Sequence, residues 1–125
     1  MTRTDLINDA LEVIQNPVHA PRDIKLYYCK ARIIKADFTD LIPLISYNTC
    51  VAAYSFELDA IFQFDYYSST TCQHIHKFRK WLHENYYDVN AHIVHLYKDS
   101  GTTKKQDRIN RENDYSNIIK LFEIQ

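Results

Sequence analysis

Residues 46–86 of this 125-residue chain, SYNTCVAAYSFELDAIFQFDYYSSTTCQHIHKFRKWLHENY, carry the clearest structural pattern in the sequence. From Val51 to Leu58, and again from Phe62 to Tyr67, the side chains alternate with a period of two, and one face of the first run is mostly apolar. This period is typical of β-strands. Residues 57–59 separate the runs, although they contain no Asn-Gly or Asp-Gly turn signal. The first half of the stretch therefore predicts a β-hairpin.

The second half carries the pattern of an amphipathic helix, which we predict over Thr70–Tyr86. Thr70 and Gln73 have the spacing of a capping box, in which each side chain bonds the other's backbone amide. At about 100° per residue, one stripe is suited to burial: Thr71, Ile75, Phe78, Leu82 and Tyr86. The opposite stripe is polar: Gln73, His76, Lys77, Lys80, His83 and Glu84, with His74 and Trp81 at the boundary.

The flanking segments predict a second helix and further strands. Asp5–Gln15 has a helical apolar face, with Thr4 as its cap and Pro17 as its end. Asp23–Phe38 fits both periods, and its β-branched and aromatic content favours a strand. Three predictions concern the remaining elements: an edge strand or its entry at Leu41–Ser46, which contains Pro43; a strand at Ala91–Tyr97; and a turn at Ser100-Gly101. Tyr115–Ile124 is apolar without deciding between strand and helix.

Together these elements predict one α+β domain spanning residues 1–125. An antiparallel sheet is expected to carry the main amphipathic helix, with the N-terminal helix packed on the same face. The charged stretch Thr102–Asp114 is expected to be a mobile loop.

Composition excludes several classes of protein. With one glycine, the chain has no glycine-rich loop for phosphate or a dinucleotide. The net charge of −1 does not favour nucleic acid or an anionic membrane, and no apolar run is long enough to span a bilayer. Three cysteines leave at least one unpaired, which favours free thiols in a reducing cytoplasm.

Catalytic and metal sites are weakly supported. Cys72, His76 and His83 fall close together on the helical wheel, but their spacing matches no zinc motif, and a solvated helix face explains them better. The hydroxyls of residues 68–71 precede His74 in a position that suits a helix start, and no Gly-x-Ser-x-Gly elbow is present. Cys50 lies in a strand pattern as a small core residue. We therefore expect no enzyme activity, metal or cofactor.

Binding is the remaining class, and the partner is a protein or a nucleic acid. The predicted contact surface combines the exposed helix face, an aromatic anchor and a charged loop: His76, Lys77, Lys80, Trp81, Lys104, Lys105 and Arg108. Trp and Tyr are favoured at protein interfaces, and the chain has 10 tyrosines. The same basic residues next to tyrosines would also suit a nucleic acid.

Two pieces of the stretch 46–86 resemble a family of small uncharacterised proteins common on phages and plasmids of Gram-positive bacteria. The family pattern SYxTxVA matches residues 46–52, and YSxTTxxHIxxF matches residues 67–78, at every fixed position. A polar cluster is expected where strand meets helix start, structural first and functional second: Tyr47, Thr49, Thr70, Thr71 and His74. Both termini lie outside the resemblance.

The resemblance implies a setting and no activity. It implies an accessory protein of a mobile genetic element acting in a bacterial cytoplasm. In that setting we expect a non-enzymatic protein that binds a host protein or nucleoprotein complex, as inhibitors of CRISPR effectors or restriction enzymes do. The alternative is a small nucleic-acid-binding accessory protein that uses the basic helix face. The sequence leaves the oligomeric state open.

Overall fold

In the computed structural model, which describes residues 3–27 and 29–96, a six-stranded sheet lies between two helices. The helices are α1 (Arg3–Gln15) and α2 (Ser69–Asn85), and a short 3-10 helix spans Pro17–His19. The strands are β1 (Arg22–Lys25), β2 (Ala31–Lys35), β3 (Leu41–Ser46), β4 (Thr49–Ser55), β5 (Ala60–Gln63) and β6 (His92–His95). The predicted single α+β domain is confirmed for these residues.

The strands lie in the sheet in the order in which they occur in the chain. The first five strands pair antiparallel, and the predicted hairpin is the pair β4–β5, with Ser55 opposite Ala60. Only β6 departs from the expected antiparallel sheet, because it pairs parallel to β5. Since adjacent parallel strands need a crossover connection, α2 between β5 and β6 supplies it.

The buried stripe of α2 is confirmed, but its predicted cap is wrong. Thr71, Ile75, Phe78 and Leu82 are buried against one sheet face, and the predicted polar stripe is exposed. The cap is Ser68, whose backbone is extended and whose Oγ accepts a hydrogen bond from the Thr71 amide at 3.3 Å. Thr70 lies inside the first turn, so the capping box with Gln73 is not formed.

The two helices cover opposite faces of the sheet, which corrects the expectation of a shared face. Side chains of α2 pack on one face of the sheet, in a cluster that contains the strand residues Ile33, Leu44 and Ala52. Side chains of α1 pack on the other face: Leu6, Ala10 and Val13 against Ile34, Ile45, Ala53 and Phe62. Because α1 begins at Arg3, Thr4 lies within the helix and is not its cap.

Two strand predictions need correction. Asp23–Phe38 contains two strands joined by a turn, because β1 folds back on β2 with Asp23 opposite Ile34. Strand β3 is interior, although it contains Pro43, which lacks a backbone N–H. The pairing of β3 with β2 stops at Leu44, so the proline falls just beyond that ladder.

Cys50 is half-buried against the core under α1, which confirms its predicted structural place. Burial raises the pKa of its thiol to about 12, despite a weak hydrogen bond to the Ala52 carbonyl. A thiol with this pKa is a poor nucleophile.

The strand predicted at Ala91–Tyr97 is confirmed as β6 within its described residues. The predicted Ser100-Gly101 turn, Thr102–Asp114 loop and Tyr115–Ile124 segment lie outside the described residues. Within residues 3–27 and 29–96, neither helix has the length and apolar character needed to cross a membrane.

Candidate functional site

A buried polar cluster joins the end of β3 to the first turn of α2. Ser46 Oγ lies 2.8 Å from His74 Nδ1 and 3.0 Å from Thr71 Oγ1, and all three residues are buried. The exposed ring of Tyr47 lies over His74 at 5.6 Å between centroids. Three members of the predicted cluster thus come together: Tyr47, Thr71 and His74.

The other two predicted members do not take part. Thr49 and Thr70 are exposed and hold no hydrogen bond in the cluster. Ser46 was not predicted as a member. The period of two places it on the same face of β3 as Leu44, and Leu44 packs in the core under α2.

His74 sits deeper than its predicted boundary position, at 3% exposure. Burial lowers the pKa of His74, and the nearby Lys77 ammonium lowers it further. The imidazole is therefore favoured in its neutral form, in which one ring nitrogen donates and the other accepts. With its hydroxyl partners enclosed, the cluster fixes α2 on the sheet and does not present a nucleophile to solvent.

The outer face of α2 presents fewer available cations than the sequence suggests. His76 and Lys77 are exposed, and no carboxylate among the described residues pairs with Lys77. Lys80 is engaged within the molecule, because its Nζ lies 3.9 Å from a Glu84 carboxylate oxygen and 5.3 Å from the ring centre of Tyr27. Arg79 Nε donates to the Asn90 carbonyl at 3.3 Å. Of the predicted basic face, only the N-terminal half, with His76 and Lys77, is therefore available to a partner.

Trp81 belongs to a continuous line of rings at the C-terminal end of α2. Successive ring centroids are 5.8 Å apart for Trp81 and Tyr86, 5.1 Å for Tyr86 and Phe56, and 5.1 Å for Phe56 and Tyr54. All three contacts are edge-to-face, the geometry that aromatic pairs favour. We call these four residues the aromatic strip.

The aromatic strip is anchored in the core at Tyr54 and is partly exposed to solvent at its other rings. Tyr54 is buried and donates to a carboxylate oxygen of Asp59 at 2.7 Å, whereas Phe56 is 40% exposed and Trp81 is half-buried. Lys35 Nζ lies 5.4 Å from the Tyr86 ring centre, which places a cation on the strip. Of these residues, the sequence identified only Trp81 as a contact.

The remaining predicted site residues are not placed by the structure. Lys104, Lys105 and Arg108 lie outside the described residues. Among residues 3–27 and 29–96, no three His, Cys, Asp or Glu side chains converge as a metal site would require. Cys29, Cys50 and Cys72 are free thiols.

Comparison with known proteins gives one match. The model of a family of unknown function, DUF8033, matches residues 19–110, which include both the buried polar cluster and the aromatic strip. Searches of curated proteins and of solved structures gave no match. Because the matched region spans well over half of the 125 residues, the chain belongs to the DUF8033 family of unknown function.

Proposed function

We propose that this protein is a non-enzymatic accessory protein that acts by binding another protein, with the aromatic strip at the centre of the contact. The observation that carries the proposal is the strip itself, in which three partly exposed rings, Phe56, Trp81 and Tyr86, are held at one end of α2 with the buried Tyr54 beneath them. Trp and Tyr are enriched among the residues that dominate binding energy at protein interfaces.

The geometry of the strip suits binding because its side chains are already ordered. Each ring is held by the edge of the next, so little side-chain entropy remains to be lost when a partner docks. Lys35 adds a cation above the Tyr86 ring, and Glu84, which is paired with Lys80, lies three residues after Trp81 on the same helix and therefore beside it. An apolar centre with a charged border is the usual anatomy of a protein interface.

The setting proposed for this contact comes from the sequence resemblance. An accessory protein of a phage or another mobile element, acting in a bacterial cytoplasm, has host machinery as its accessible partner. We therefore propose a host protein complex as the target, with a CRISPR effector or a restriction system as the leading candidates. His76 and Lys77 on α2, and Lys104, Lys105 and Arg108 beyond the described residues, belong to the proposed contact surface.

Nucleic-acid binding is the second candidate, and one observation favours it. A shallow groove of about 580 Å³ is lined by Lys25, Lys30, Arg32, Tyr47 and Asn48, among other residues. Cations beside an exposed tyrosine suit a phosphate backbone and a stacked base. Against this, Arg32 is paired with Asp23, and Arg79 and Lys80 make contacts within the molecule.

Two sets of variants separate the candidates. For a protein partner, Phe56→Ala is expected to weaken binding at least about tenfold, with little dependence on salt. Tyr66→Ala is the matched control, because this exposed tyrosine precedes the opposite end of α2. For nucleic acid, Lys77→Glu with Lys80→Glu would instead abolish a strongly salt-dependent gel shift while leaving the melting temperature unchanged. That second pattern, with no effect of Phe56→Ala on binding, would overturn the proposal.

A further inference from the structure

A cleft on the α1 side of the sheet is separate from the aromatic strip and from the buried polar cluster. It encloses about 390 Å³, within the size range of ligand pockets. Helix α1 forms one wall, and the loops between β2 and β3 and between β4 and β5 form the others. Its apolar lining comes from α1, from strands β3 and β5, and from the loop between β4 and β5: Leu6, Val13, Leu41, Phe62 and Leu58.

Charge of one sign surrounds this apolar lining. Four carboxylates line the cleft, and no lysine or arginine does: Asp9, Glu12, Asp40 and Glu57. Asp40 is held in place, because it accepts hydrogen bonds from the Ser55 hydroxyl and the Glu57 amide. Asp9 and Glu12 have no ion-pair partner among the described residues.

The electrostatics of Asp9 agree with an uncompensated negative site. Burial raises the pKa of Asp9, and the charges of Glu12 and Asp5 raise it further. A cation bound between these carboxylates would oppose that shift, because an opposite charge nearby favours the ionised form.

Two segments beside the cleft carry exposed apolar side chains. Phe38 lines the cleft and is 100% exposed, and Val18, which is 81% exposed, precedes the lining residue His19 in the chain. The two segments are tied together, because the Asp37 amide donates to the His19 carbonyl at 2.8 Å. A small free amine would leave both side chains uncovered, whereas a polypeptide has neighbouring side chains to cover them.

We infer that the cleft is a docking site for a basic segment of a partner protein, with an arginine or lysine side chain inserted between Asp9, Glu12 and the apolar walls. The alkyl stem of the inserted side chain contacts Leu6 and Leu58, and its charge lies against the carboxylates. Apolar residues beside the inserted one cover Phe38 and Val18. This contact lies on the opposite face of the sheet from the aromatic strip and does not depend on the function proposed for the strip.

NMR titration of the full-length protein tests this site directly. The probes are a seven-residue peptide with one arginine flanked by leucines, the same peptide with glutamine in place of arginine, and spermidine. The arginine peptide is expected to shift the amide signals of Thr39, Asp40 and Leu58 and to bind at least about tenfold more tightly than the glutamine peptide. Spermidine is expected to bind more weakly than the arginine peptide.

Variants make the test decisive. Asp9→Asn with Glu12→Gln is expected to weaken arginine-peptide binding about tenfold or more. Asp37→Asn is the matched control, because this exposed carboxylate lies in the same loop as Phe38 but does not line the cleft. Phe38→Ala removes a fully exposed side chain, so folding is not at risk, and it is expected to weaken the peptide but not spermidine.

Three results would overturn the inference. Equal affinity for the arginine and glutamine peptides would show that the cleft does not recognise a positive charge. Unchanged affinity in the Asp9→Asn, Glu12→Gln variant would place the cation elsewhere. Spermidine binding as tightly as the peptide, with no effect of Phe38→Ala, would make the cleft a polyamine site.

Discussion

The Asp59 carboxylate joins the β4–β5 turn to the loop that leads into β6. It accepts hydrogen bonds from the Tyr54 hydroxyl at 2.7 Å and from the Asn90 and Ala91 amides at 3.0 Å. Burial favours a higher pKa for Asp59, but the hydrogen bonds from Ala91, Tyr54 and Asn90 outweigh it and hold the pKa below its ordinary value. The ionised form is therefore part of the fold.

Asp59→Asn is expected to lower the free energy of unfolding by about 1–3 kcal/mol at pH 7, because charged hydrogen bonds are lost. Since the pKa of Asp59 is lower in the folded state than its ordinary 3.8, its stabilisation is present above pH 3.8 and is lost as the pH falls through the folded-state pKa. Urea unfolding at pH 7 and pH 3 measures both effects. Asp37→Asn is the exposed control, with an expected change under about 1 kcal/mol. A difference between Asp59→Asn and wild type that stays the same at both pH values would contradict this account.

The positive charge of Lys77 is expected to lower the pKa of His74 measurably. Lys77→Gln removes a positive charge, so the pKa of His74 should rise towards 6.5, while burial still holds it below that value. NMR titration of the imidazole signals measures the shift, and Lys80→Gln, whose ammonium is paired with Glu84, is expected to leave it unchanged. Because the folded state favours neutral His74, its stabilisation is complete above about pH 6.5 and declines as the pH falls through the folded-state pKa. A His74 pKa that is the same in wild type and Lys77→Gln would rule out this electrostatic contact.

At the scale of elements, the start of α2 offers a direct comparison of two hydroxyl side chains. Ser68→Ala removes the capping acceptor and is expected to destabilise the protein by about 1 kcal/mol. Thr70→Ala is the matched control two residues later. It is expected to be neutral or slightly stabilising, because Thr70 is exposed within the helix and alanine is the better helix former. The thermal midpoints of the two variants measure the difference. A larger loss of stability in Thr70→Ala than in Ser68→Ala would show that Thr70 is the cap.

The turns show why element boundaries were harder to predict than the elements themselves. Each of the four connections between antiparallel strands places a non-glycine residue at positive φ: Tyr27, Phe38, Tyr47 and Asp59. Glycine, asparagine and aspartate are the usual residues there, so three of these four positions carry no turn signal in the sequence. This is why residues 23–38 were predicted as one strand. The strong alternation of residues 51–58 was enough to predict the hairpin without a turn signal.

At the scale of the whole molecule, the sequence predicts the layers only in part. The amphipathic stripes of α1 and α2 indicate that each covers the sheet, but a stripe does not say which face it covers. For α2 the face follows from connection geometry, because it is a crossover between parallel strands. Helix α1 precedes the sheet, so no such connection determines its face. The two sites were not predictable in full because their residues are far apart in the chain. Ser46 and His74 are 28 residues apart, and the cleft combines three distant segments.

Trp81 illustrates how far a single residue can be predicted from sequence. Its boundary position on the helix identified it as a contact residue, because an amphipathic aromatic is favoured there. Its ring neighbour Tyr86 caps the same helix, and the next ring, Phe56, comes from the β4–β5 turn, so only the folded sheet brings Phe56 to this end of α2. The aromatic strip is therefore a property of the fold, and it carries the proposed function.

The most direct test of that function is affinity capture from a bacterial host lysate, with and without nuclease, using wild type, Phe56→Ala and Tyr66→Ala. With wild type and Tyr66→Ala, we expect a stoichiometric protein partner that is identified by mass spectrometry and is still captured after nuclease treatment. Capture by Phe56→Ala is expected to fall at least about tenfold, at a temperature where its circular dichroism spectrum shows it to be as fully folded as wild type. Recovery of nucleic acid, with every protein partner lost on nuclease treatment and no effect of Phe56→Ala, would contradict the account.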